Sequence, residues 1–244
     1  MTNRAIPENL RSLNLQEEEL REKALEMLEN SPKLVAHLRV AERTMNMAEV
    51  LRKFETNDED LKVIQILSMR MFNAFGACIK LALSGYSQNG ALILRDVLET
   101  VFLVDLFSHD HKAINRWRFA HSANEKREFQ PINVRKALDE RDGFTEQKRG
   151  AQYKLFSELA GHPSMKSAFM MRPEKNGDAV IGPFIEATSL EAVLSETGKL
   201  AVQVGGKLEV FFPDSFEEGT EACKTFLEVQ KEWLEIFYQQ SGQS

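Results

Sequence analysis

The sequence predicts a mainly α-helical bundle, and three observations predict it. Apolar residues recur at spacings of three and four through most of the chain. Helix-starting residues such as Ser31–Pro32 and helix-ending ones such as Gly85 and Gly161–Pro163 divide the periodic stretches. No linker, internal repeat or low-complexity tract breaks the 244 residues, so a single domain is expected over 1–244. Its core spans about residues 58–185. N-terminal helices over 15–54 and C-terminal helices over 189–240 pack on it, giving about eight or nine helices in all.

Each element has its own signal. Asn14 precedes a run with acids crowding a first turn, which suits the positive end of a helix dipole. Ser31 caps the next helix with Pro32 at its first position, and Leu34, Val35, Leu38, Ala41, Met45, Ala48 and Leu51 form its packing face. A helix capped near Asn57 and ended at Gly85 is apolar on most sides and should be central. Ser87 opens another, whose apolar run from Ala91 to Phe107 carries four charges, Arg95, Asp96, Glu99 and Asp105. Each charge would cost a few kcal/mol at a bilayer centre, so this reads as a core helix and no membrane partner is expected. Asp110 caps a helix through Phe129, Pro131 opens a shorter one to Asp142–Gly143, and Thr145 caps the stretch to Gly161. Two apolar runs around Lys175–Asp178 predict one small β-hairpin near 167–184. Ser189 then caps a helix with Gly198 and Gly205–Gly206 as close-packed points, and Pro213–Asp214 starts a final acidic helix ending near Tyr238.

Composition narrows the function classes. Hydrophobic content of 43% and charged content of 28% are those of an ordinary globular chain. A net charge of −6 argues against coating nucleic acid through broad electrostatics. The charge is uneven, however: Lys112–Arg149 holds ten Lys/Arg against six Asp/Glu, and Glu186 onward holds four Lys against eleven acids. Cys78 and Cys223 stand in apolar helical contexts and read as buried reduced thiols. With a polar N-terminus that lacks an apolar leader core, they point to the cytoplasm. There is no phosphate-binding glycine loop, dinucleotide fingerprint, His-Glu-x-x-His or kinase set, so no cofactor is expected.

Four constellations carry chemistry. Arg95 and Glu99 share one face of an apolar helix, with Asp96 and Thr100 on the adjoining row; such charges need partners or water. Arg149, Tyr153 and Ser157 stand four apart, and His162 follows at the helix end, where the dipole favours imidazolium. Together Arg95, Glu99, Tyr153 and His162 would line a shared polar pocket. No nucleophile elbow surrounds Ser157, so acyl transfer is not indicated. His109-Asp110-His111, with Asp105 upstream, has metal-ligand residue types, but no further His/Cys cluster completes a set, and no metal is expected. Arg116 and His121 have an Arg-x4-His spacing, which on a regular helix sets the side chains about 140° apart.

These residues carry a family resemblance. Arg95-x3-Glu99 followed by Tyr153-x3-Ser157-x4-His162 resembles a group of uncharacterised bacterial all-helical proteins, itself distantly similar to HEPN and abortive-infection proteins. The likeness covers about residues 60–185 and implies Arg95, Glu99, Tyr153, Ser157 and His162 as the family-type positions. In HEPN nucleases the Arg of Arg-x4-His holds the scissile phosphate and the His moves a proton at the ribose hydroxyl. In this chain that spacing falls elsewhere, at Arg116 and His121. A homodimer with an RNA or protein partner is expected. Three functions follow as expectations. One is a binding or regulatory module of a bacterial defence or toxin–antitoxin kind. The second is a metal-independent ribonuclease acting through Arg116/His121 or His162 with Arg95. The third is a polar network that only stabilises the bundle.

Overall fold

A computed structural model of the chain describes residues 7–161, 167–173 and 177–238. Among them run ten α-helices: α1 Glu8–Glu29, α2 Pro32–Leu51, α3 Glu59–Leu83, α4 Ser87–His109, α5 His111–Arg118, α6 Ala123–Glu128, α7 Pro131–Arg141, α8 Lys148–Phe156, α9 Ala187–Leu208 and α10 Glu217–Tyr238. A π-helical turn, Ser157–Gly161, continues α8, and 3-10 turns cover Ser167–Met171 and Glu209–Phe211.

Helices α2, α3, α4 and α9 form a four-membered ring, each packed on the next, and α10 lies along α2. Close approach depends on small residues. Thr44 of α2 donates to the Ala201 carbonyl of α9 at 2.9 Å. A Cβ at Gly198 would stand 2.5 Å from His37 Nδ1, and one at Gly205 would overlap the Phe226 ring. Phe226 is fully buried, which is worth about 1.5–3 kcal/mol for a side chain of this size. Outside the ring, α5 to α8 cover the flank of α4, with α7, α8 and the π turn all touching it.

The helix ends differ from the expected ones in instructive ways. Ser31 caps α2 as its spacing indicates, accepting from the Leu34 amide at 3.4 Å. Helix α1 starts at Glu8 after Pro7, so Asn14 lies inside it. Asp58, not Asn57, caps α3, accepting from the Asp60 amide at 2.8 Å. Glu186, not Ser189, caps α9, its carboxylate taking the amides of Thr188 and Ser189 at 2.9 and 2.6 Å. The single helix expected over 110–129 is two, because Ser122 and Glu125 form a capping box that starts α6 anew. That break raises the helix count to ten.

The β-hairpin expected near 167–184 is corrected: no strand occurs among the described residues. Its first run, Ser167–Met171, is a 3-10 turn. From Ala168 to Met171 the run is continuously apolar rather than alternating, and Pro173 supplies no amide for a ladder. The Val180 amide donates to the Met171 carbonyl at 3.0 Å. Further on, Phe184 donates to Gly85 of the α3–α4 turn at 3.1 Å. Gly85 has φ +88°, and a Cβ there would sit 2.7 Å from the Phe184 nitrogen, so both conformation and contact require glycine.

Both cysteines are buried free thiols, and burial pushes Cys78 up to about 12 and Cys223 up to about 11. Among the described residues α3 alone is long and apolar enough to cross a membrane, and 39% of its most apolar window is buried in the bundle.

Candidate functional site

Helix α4 turns Leu94, Val97, Leu98 and Val101 into the ring. The helical period therefore sets Arg95, Asp96 and Glu99 on its flank, and all three are half-buried rather than sealed in the core. Arg95 Nε donates to Glu99 Oε1 at 3.2 Å, one turn away. The other end of the guanidinium, Nη2, donates to the Tyr153 hydroxyl, and Arg95 Cζ lies 4.8 Å from the centroid of that ring. A second guanidinium, Arg135 of α7, lies over the same ring at 3.9 Å. Tyr153 is thus a platform for two cations.

Three of the four expected pocket residues, Arg95, Glu99 and Tyr153, therefore meet. The fourth, His162, lies outside the described residues. Ser157 is buried and follows Tyr153 on α8's continuation, and its Oγ has no hydrogen-bond partner. At Gly161 the expected helix end is a π turn, with no positive φ. Glycine there leaves room for Arg95, because a Cβ would come within 2.7 Å of Arg95 Nη1. Leu155 of α8 is 48% exposed.

The adjoining row of α4 behaves separately. Asp96 pairs with Arg70 of α3, while Thr100 Oγ1 donates back to the Asp96 carbonyl at 2.8 Å. Between α3 and α4 lies an open groove of about 910 Å³, lined by Ile66, Met69, Arg70, Leu92, Arg95 and Glu99 among others. Of the polar cluster, Arg95 and Glu99 line this groove, alongside apolar side chains.

A second cluster serves packing. Asp105, buried at the far end of α4, receives Arg141 Nη1 at 3.0 Å and Lys207 Nζ at 2.9 Å, and lies 3.5 Å from His109. Burial pushes the Asp105 carboxyl up, but the hydrogen bonds from Arg141 and Lys207 outweigh it and hold the group below the usual range. Arg149 does not join Tyr153 as its spacing suggested; it pairs with Asp139 at 2.8 Å and with Asp142. The network ties α4, α7, α8 and α9 together. Cations already occupy the Asp105 carboxylate, and no group of three or more His, Cys, Asp or Glu among the described residues is placed to hold a metal.

The remaining pair is apart in role. Arg116 donates to Asp110 at 2.8 Å and to Glu128 at 2.7 Å, so two carboxylates fill its fork. His121 is exposed beyond the end of α5, with its backbone amide on Glu125 Oε2 at 3.0 Å. No hydrogen bond or ion pair joins Arg116 to His121. Sequence reasoning missed Arg135 and the hub role of Asp105. Asp105 was visible as a charge in an apolar run, whereas nothing in the spacing of α7 marks Arg135.

No protein-family model matches this chain, no curated protein is similar to it, and no solved structure matches its fold. The likeness to HEPN-related proteins therefore rests on the residue pattern alone.

Proposed function

We propose that the protein is a binding or regulatory module whose ligand or partner engages the α3–α4 groove beside Arg95, Glu99 and Tyr153. One observation carries the reading. Arg95 reaches across 58 residues of sequence to Tyr153 while holding Glu99, at the wall of a wide groove. Charged groups among apolar lining side chains are the composition of a recognition site. Stabilisation of the bundle falls to the Asp105 network, which leaves the half-exposed Arg95 group for recognition. The commitment of Arg116 to two carboxylates weighs against the ribonuclease alternative. On the residue pattern, the module belongs to a bacterial defence or toxin–antitoxin system and works as a cytoplasmic homodimer. The exposed Ile66, Met69 and Leu92 are apolar surface that a dimer or partner would cover.

The test is a thermal-shift screen of acidic, basic and neutral small molecules against wild type and Arg95→Ala. At least one class should raise the wild-type Tm and leave the variant unmoved. If none acts, or if the variant responds equally, the binding reading fails. Single-stranded RNA incubated with the protein, with and without chelator, should stay intact. Cutting that disappears in an Arg116→Ala, His121→Ala double variant would restore the nuclease.

A further inference from the structure

Helices α8 and α9 both pack on α4, with no comparable packing between the two. Between them lies a cavity of about 290 Å³, which the end of α7 and the turn after it also line. At about 30 Å³ for each water-sized atom, it has room for a molecule of about ten non-hydrogen atoms. A sphere of that volume is about 8 Å across, so the groups that line it face one small molecule in common.

The charges around this cavity are unevenly paired. Four cations line it, Arg141, Lys148, Arg149 and Lys207. Three of them are taken by buried or half-buried acids. Arg141 and Lys207 meet Asp105 at 3.0 and 2.9 Å, and Arg149 meets Asp139 at 2.8 Å and also Asp142. Lys148 has only Glu146, at 3.8 Å, in a pair whose side chains are 65% and 76% exposed. Exposed pairs of this kind are screened and contribute little. One positive charge at the cavity therefore has no firm counter-ion among the described residues. Its ammonium lies 5.6 Å from the centroid of the Phe144 ring, beside the apolar part of the lining. Lys148 also belongs to the basic stretch Lys112–Arg149, which the groove reading leaves unused.

Two amides line the same space. Gln152 stands one turn along α8 from Lys148, and Gln203 one turn before Lys207 on α9; both are half-buried. Neither side chain makes a hydrogen bond or ion pair among the described residues, and neither amide is sealed in the core. Half-buried amides without a protein partner are free to bond water or a ligand. The rest of the lining includes Val101 and Phe102 of α4 and Phe144. Apolar walls with a few converging polar groups are the composition of a small-molecule site.

We infer that this cavity binds a small organic monocarboxylate. The apolar body of the ligand lies among Val101, Phe102 and Phe144. Its carboxylate faces Lys148, with the Gln152 and Gln203 amides as hydrogen-bond donors. One unmatched cation suits a monoanion; a phosphate dianion would exceed it and would set charged oxygens against the apolar walls. The site is separate from the α3–α4 groove and does not depend on it.

Isothermal titration of the whole protein with benzoate, hexanoate, benzyl alcohol and inorganic phosphate tests the inference. At least one of the two carboxylates should bind wild type. Benzyl alcohol and phosphate should each bind about tenfold more weakly or worse; for the alcohol this is the loss of hydrogen bonds to a charged group. Lys148→Gln and Gln203→Met should each weaken carboxylate binding about fivefold. Both should keep the unliganded Tm, because Lys148 is exposed and the Gln203 amide holds nothing in the protein. Arg95→Ala should bind the carboxylate like wild type, which separates this cavity from the groove. The inference is overturned if neither carboxylate binds, or if benzyl alcohol or phosphate binds as tightly. It is equally overturned if Lys148→Gln or Gln203→Met binds like wild type, if Gln203→Met lowers the unliganded Tm, or if Arg95→Ala abolishes binding.

Discussion

Gly161 and Gly205 both stand in helical surroundings and should respond differently to a methyl group. At Gly161 the added Cβ meets the far end of the Arg95 side chain, which can swing away. Replacing a helical glycine by alanine gains about 0.5–1 kcal/mol, so Gly161→Ala should leave the denaturant midpoint nearly unchanged while detaching Arg95 from Tyr153. At Gly205 the Cβ meets the ring of Phe226, which is fully buried and cannot retreat. Overpacking of this kind costs about 1–3 kcal/mol and outweighs the helical gain. Gly205→Ala should lower the midpoint accordingly, and equal midpoints for the two variants would contradict this account.

At the scale of elements, the flank of α4 divides into a groove-lining half and a fastening half. The Asp105 end fastens: one carboxylate joins α4 to α7 through Arg141 and to α9 through Lys207. Asp105→Ala would remove the shared acceptor of Arg141 and Lys207, which are themselves 26% and 32% exposed, and loss of hydrogen bonds to a charged group costs about 1.5–3 kcal/mol. Urea unfolding should register that loss, whereas Arg70→Ala, which breaks an exposed pair with Asp96, should cost less than about 1 kcal/mol. Similar losses for the two variants would refute the division. The same elements show why sequence legibility varied. Ser31–Pro32 was readable because a cap acts within three residues. The hairpin at 167–184 was misread because Phe184 pairs with Gly85, a partner about a hundred residues away that no local turn signal reveals.

For the whole molecule, acid should act first through His37. Its Nδ1 accepts from Trp233 Nε1 at 2.9 Å, and its ring stacks on Phe237 at 4.3 Å, so this neutral imidazole joins α2 to α10. Burial, aided by the Lys199 ammonium, pushes it down to about 4. The unfolded chain has an ordinary His near 6.5 and takes up the proton earlier than the folded one. Stability from this group is therefore complete above about pH 6.5 and falls as pH drops from there towards 4, by about 3 kcal/mol at most. The depressed carboxylates of Asp105 and Asp142 act in the same direction but below about pH 4. Between pH 6.5 and 4.5, wild type should lose stability that His37→Gln does not, by chemical denaturation at each pH. Parallel curves for the two proteins would rule His37 out as the cause.

The sequence by itself determined the helical class, most helix boundaries to within a few residues, and the membership of Arg95, Glu99 and Tyr153 in a candidate site. Helical periodicity and polar residues in an apolar helix are local or one-face properties, and local physics suffices to read them. Only the tertiary structure decided that Arg149 leaves Tyr153 for Asp139 and Asp142, that Arg135 takes its place, and that Gly161 leaves room for Arg95. Each of those outcomes is a choice among partners distant in sequence. Opposite charges attract without regard to spacing, so which pairs form is set by which helices pack side by side.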